Sequence, residues 1–166
     1  MTRTYKLTLM AMLIAIGLVG AMFIWFPAGV ARALPVQHAV NVIAAVLLGP
    51  GPAVLIAFAI GLLRNLLGVG TLLAFPGGMV GALLAGIAYR TFKHKGAAVV
   101  GEVIGTAFIG SLLAVPLAQV FLGQAVGVFF YVPGFFVSSI SGAFLAWIIL
   151  SRIPSHKTNS QSVGVE

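Results

Sequence analysis

Eight side chains of types that could do chemistry stand inside otherwise apolar runs: Gln37, His38, Asn41, Arg64, Asn65, Thr71, Glu102 and Tyr131. Six of them fall between Leu34 and Gly81, in LPVQHAVNVIAAVLLGPGPAVLIAFAIGLLRNLLGVGTLLAFPGGMVG. Gln37 and Asn41 are spaced i,i+4 and His38 and Asn41 i,i+3, so on a helix all three share one face. The set is rich in hydrogen-bonding groups and poor in bond-breaking ones. The only acids are Glu102 and Glu166, which leaves no carboxylate pair inside the apolar runs for general acid and base work. There is no cysteine, which excludes disulfides, thiolate chemistry and Cys-based metal sites. His38 has no second ligand at useful spacing, so no metal is expected. What remains is recognition: polar and charged groups in an apolar setting need partners, and ionisable ones there mark functional sites.

The elements that position these residues follow from composition. Of 166 residues, 61% are hydrophobic and 7% charged, against about 25% charged in a soluble domain. A soluble surface cannot be built from this chain, and a membrane protein is expected. A barrel would need alternating apolar and polar residues in runs of roughly ten. Here the runs are continuous and rich in Leu, Ala and Gly, which predicts helices. The 21 glycines suit close helix approach in lipid. The formal charge of +7 does not imply nucleic-acid binding. The cations sit at the ends of apolar runs, where they set orientation and meet headgroups of the bilayer.

Six spans are expected, at about 7–26, 36–48, 52–67, 76–89, 97–121 and 134–153. Leu7–Phe26 carries no charge over twenty residues, enough at about 1.5 Å each to cross a core of roughly 30 Å. Ala31-Arg32-Ala33 resembles a small-x-small cleavage site, but this apolar run exceeds the usual 7–15 residues of a signal peptide. Pro27 and Gly29 open a first loop through Pro35, and Gly49-Pro50-Gly51-Pro52 is a break. Residues 1–153 are expected as one transmembrane domain, followed by a polar cytoplasmic tail at 154–166. With the N-terminus inside, seven of nine Lys/Arg fall on the cytoplasmic side, with Arg32 and Arg64 outside, as the positive-inside rule requires. The expected fold class is an all-α, six-transmembrane-helix bundle with both termini cytoplasmic. On the first helix, Ala11 and Ala15 make one small-residue face, and Gly17 and Ala21 another. The first pair serves either internal packing or a separate partner.

PVQHAVNVIAAVLLGP, RNLLGVGTLLAFPGGMVGALLAG and GEVIGT resemble the ThiW family over roughly residues 5–150. The family's members are proposed thiazole-specific substrate-binding (S) components of energy-coupling factor transporters. The resemblance implies a six-helix plasma-membrane protein of a prokaryote that captures a vitamin precursor from outside. It also implies partners: a transmembrane coupling subunit and two cytoplasmic ATPase subunits. Ala11-Met12-Leu13-Ile14-Ala15 matches the family's Ala-x-x-x-Ala docking motif for the coupling subunit. The chain has no GxxxxGK[ST] loop and cannot use ATP itself. The implied cargo is hydroxyethylthiazole, and no cofactor is implied.

A thiazole with a short alcohol needs an apolar slot, a stacking surface and two or three hydrogen-bonding groups. His38 and Asn41 could bond the ring nitrogen or the hydroxyl with Gln37 orienting them, or the three could cap one another. Arg64, beside Asn65, either clamps a phosphate or hydroxyl or snorkels to the interface. Thr71 and its neighbouring glycines either line the pocket or only permit a tight reversal. Glu102 must be protonated, paired with a cation such as Arg64, or next to a wet cavity. Tyr131, with Phe129, Phe130 and Phe135, closes over a ring or belongs to an interfacial belt. The alternatives are an S component for thiamine, a pyrimidine or another vitamin, and a stand-alone transporter, although no internal repeat of the carrier type is present. A membrane enzyme is not expected.

Overall fold

The computed structural model describes residues 2–29 and 31–153. The chain forms α1 (Arg3–Phe23), a hairpin of β1 (Phe26–Ala28) and β2 (Ala31–Ala33), α2 (Pro35–Leu48), α3 (Pro50–Leu66) and α4 (Ala74–Phe92). α5 (Lys95–Val103), a π-helical segment (Ile104–Gly110) and α6 (Ser111–Leu122) then run on as one 28-residue rod, followed by α7 (Val132–Arg152). The expected polar tail at 154–166 lies outside the described residues.

Local chemistry explains the element ends. Pro35 and Pro50 open α2 and α3, where a missing N–H costs nothing. Gly49 between them takes φ 87°, a value that favours glycine. α4 starts at Ala74, two residues ahead of Pro76, because the Ala74 and Phe75 N–H groups already donate to Thr71 and Leu72 carbonyls. The stretch expected as an open first loop is partly an antiparallel hairpin, with Phe26 opposite Ala33 and Pro27 opposite Arg32.

Large apolar side chains face outwards and small ones fill the interior. Leu55, Phe58, Ile87, Phe108, Phe144 and Trp147 are exposed, while Ala44, Ala53, Ala82, Ala85, Ala98, Ala143 and Ala146 are fully buried. In water this would be a poor distribution; in lipid it is the expected one, since close backbone packing replaces the hydrophobic drive between helices. Among the described residues, three helices are long and apolar enough to cross a membrane: Arg3–Phe23, Lys95–Leu122 and Val132–Arg152. α2 and α3 are apolar but shorter, at 14 and 17 residues.

The tightest seam joins α4 to the long rod. A Cβ added at Gly101 would sit 2.6 Å from Leu84 O, one at Gly105 2.8 Å from Gly81 Cα, and one at Gly110 2.5 Å from Gly77 Cα. These three glycines are spaced four and then five residues apart. The π-helical segment accounts for the change of step, because its wider turn brings residues five apart onto one face. Pure α-helix would rotate Gly110 away from Gly77.

The two ends of the bundle differ in charge. Arg90, Lys93, Lys95 and Arg152 lie together at one end, where Lys95 Nζ donates to Leu150 O and Ile153 O, both at 2.7 Å. A lysine on the last carbonyls of α7 satisfies orphan acceptors and opposes the negative end of the helix dipole. α1 starts at that end, with Arg3 and Lys6. The hairpin, the α3–α4 turn and the α6–α7 loop gather at the opposite end, which holds Arg32 and Arg64.

Candidate functional site

A cavity of about 670 Å³ opens at the hairpin end. Its walls include Arg32, Gln37, His38, Arg64, Thr71, Thr106, Tyr131 and Ser138, interleaved with Leu34, Leu73, Val126 and Phe135. The volume and the mix of apolar wall with a few convergent polar groups are those of a small-molecule site.

Below the cavity lies a polar cluster centred on Glu102, which is fully buried. The His38 Nδ1–H donates to Glu102 Oε1 at 2.7 Å. Asn41 Nδ2 donates to the same oxygen at 3.2 Å and to Gly78 O at 3.1 Å. The Thr106 hydroxyl is 3.0 Å from Gly77 O and 3.2 Å from Glu102 Oε1. Helical spacing prepares both sides: His38 and Asn41 share a face of α2, and Glu102 and Thr106 are i,i+4 on the rod. Gly78 and Gly81 make room for the cluster, since a Cβ at Gly81 would stand 2.7 Å from Glu102 Oε2. Ser138 Oγ accepts from the Leu34 N–H at 2.8 Å, tying the start of α2 to α7 and satisfying a helix-start donor.

The second polar group belongs to Arg64, which is only 5% exposed although it ends a helix. Its Nη1 donates to Gln37 Oε1 at 2.7 Å and its Nη2 to Val69 O at 3.3 Å. The turn after it folds tightly against its backbone, and a Cβ at Gly70 would be 3.0 Å from Arg64 Cβ. Asn65 Nδ2 closes that turn by donating to Gly61 O at 2.8 Å and Thr71 O at 3.2 Å.

Set against the sequence-derived site, the geometry separates three kinds of residue. Gln37, His38, Arg64, Thr71 and Tyr131 line the cavity. Asn41 and Glu102 stand behind it, reaching it through His38 and Thr106. Asn65 holds the turn and does not line the cavity. Glu102 does not pair with Arg64; its partner is His38, because α2 and not α3 presents its polar face to the rod at that depth. Sequence reasoning missed Thr106, Arg32 and Ser138 as cavity residues. Thr106 was findable, lying one helical turn beyond the only acid within an apolar run. Arg32 was not, since only the hairpin register turns it to the cavity, with its guanidinium carbon 4.3 Å from the Trp25 ring centroid.

Tyr131 is 6% exposed, its ring edge-on to Phe130 at 5.1 Å and its hydroxyl donating to Gln124 Oε1 at 2.8 Å. The hydroxyl proton is thus taken by Gln124, and Tyr131 is part of the cavity wall.

A helical bundle with lipid-suited outer faces and a polar-lined cavity at one end defines a membrane protein that handles a small molecule. Comparison with protein families makes the class specific: residues 7–156 match the model of ThiW, the thiamine-precursor transporter protein. The chain belongs to the ThiW family, and transport of a thiamine precursor is the function that goes with it. Searches of curated proteins and of solved structures returned no match.

Proposed function

We propose that this protein is the substrate-capture subunit of an energy-coupling factor importer, and that its cargo is a thiazole precursor of thiamine such as hydroxyethylthiazole. The observation that carries this reading is the cavity at the hairpin end. It combines an aromatic wall at Tyr131 and Phe135 with hydrogen-bonding groups at Gln37, His38 and Thr106. An apolar heterocycle with one or two polar atoms fits such a lining. In this reading the six helical rods span the plasma membrane with both termini cytoplasmic. The crowding of cations at the end opposite the cavity supports that orientation. The hairpin Phe26–Ala33 then covers the entrance from outside.

His38 and Thr106 hold the guest, with Glu102 and Asn41 fixing their orientation from behind. Asn65 acts by shaping the turn that carries Thr71. Energy comes from partners: a transmembrane coupling subunit and two ATPases. Ala11 and Ala15 are exposed on α1, whereas Gly17 and Ala21 are buried, Gly17 against Val40 of α2 and Ile60 of α3. The exposed pair therefore offers a smooth strip to a neighbouring subunit.

Titration calorimetry of the purified protein with hydroxyethylthiazole tests the site. His38→Ala is expected to weaken binding on the order of tenfold, the worth of one good buried hydrogen bond, and Asn41→Ala to weaken it less, by loosening the Glu102 cluster behind His38. Unchanged affinity in both variants moves the guest elsewhere.

A further inference from the structure

Arg64 is a buried cation with no counter-ion among the described residues. The one ion-pair geometry among the described residues joins His38 to Glu102, and Arg64 meets only two neutral oxygens. Its Nε–H has no hydrogen-bond partner among the described residues. A snorkelling arginine would turn its head towards water; this one is 5% exposed and turned inwards onto Gln37. It lines the cavity, and so does a second guanidinium, Arg32, while no acidic side chain does. Two like charges near one cavity repel, and burying Arg64 unpaired is costly, while Arg32 is exposed on the hairpin. An arrangement that is unfavourable when empty becomes favourable once an anion arrives, and guanidinium forks match the oxygens of phosphate.

We infer that the cavity selects an anionic ligand, a thiazole whose side chain ends in a phosphate monoester, with Arg64 and Arg32 holding the phosphate. This deepens the thiazole reading and rests on it for the ring only; the anion site stands on the two arginines. A phosphate monoester carries a charge near −2 at neutral pH, matching two guanidinium groups. The ring then lies towards Tyr131 and Phe135, away from the basic wall.

Titration of the full chain in detergent with three probes decides the matter: the thiazole alcohol, its phosphate ester, and inorganic phosphate. The ester is expected to bind on the order of tenfold tighter than the alcohol, as charge-assisted bonds imply. Arg64→Gln should erase that preference and Arg64→Lys retain part of it. Arg32→Gln, a change on the exposed hairpin that leaves the bundle intact, should reduce the preference partway. Equal or tighter binding of the alcohol overturns the inference and leaves the thiazole reading standing. An ester preference that survives both glutamine variants also overturns it. If inorganic phosphate binds in an Arg64-dependent way while neither thiazole does, the anion site holds and the thiazole reading falls.

Discussion

The two buried polar groups at this cavity differ in their partners: Glu102 faces an ionisable side chain, His38, and Arg64 only neutral oxygens. Around Glu102, three side chains from two helices converge on Oε1, while Oε2 and the neighbouring Asn41 Oδ1 have no hydrogen-bond partner among the described residues. Around Arg64, two neutral acceptors take part of the guanidinium and the rest is unpartnered. Polar groups that satisfy one another inside an apolar bundle specify how helices dock. A buried charge left without its opposite is costly to folding and, on the proposed reading, open to a guest. In that reading the first group is scaffold that orients His38 and Thr106, and the second is grip.

Four substitutions sharpen or break this contrast. The largest loss of stability is expected from Glu102→Ala, which strands His38 and leaves Asn41 and Thr106 only their bonds to Gly78 O and Gly77 O. Removing one partner of a buried pair costs about 3–5 kcal/mol, readable as a lowered unfolding midpoint in detergent. Gly81→Ala should follow at about 1–3 kcal/mol, by overpacking against Thr106 and Glu102. The same melts should register Arg64→Gln at below about 1 kcal/mol, because an unpaired charge is removed along with its two bonds, even though ligand binding suffers most there. If Arg64→Gln unfolds the protein as readily as Glu102→Ala does, the contrast between scaffold and grip is lost. Ala15→Leu should be the mildest, within about 0.5 kcal/mol for an exposed site. It should leave ligand binding intact and stop uptake in cells that supply the other subunits. Normal uptake by that variant would remove α1 from the docking surface.

Much of the scaffold was legible in the chain because its signals are local. Apolar run length and proline or glycine breaks marked the helices to within a few residues, and the i,i+4 spacing of Gln37 and Asn41 put them on a common face before any packing was known. The spacing of Gly101, Gly105 and Gly110 was less readable. A step of four followed by five looks irregular until the π-helical turn restores it to one seam. The first loop concealed a hairpin because strands of three residues carry almost no pattern.

By itself the sequence determined that the protein belongs in a membrane, that it is helical, and which few polar groups its apolar runs must accommodate. Those properties depend on neighbours within one or two helical turns. Only the tertiary structure decided that Glu102 meets His38, 64 residues away, and that Arg64 meets Gln37 with no acid bonded to it among the described residues. Both outcomes depend on how far each helix slides and rotates against the next. That docking is set by where glycines on separate helices let backbones touch, and no single segment contains it.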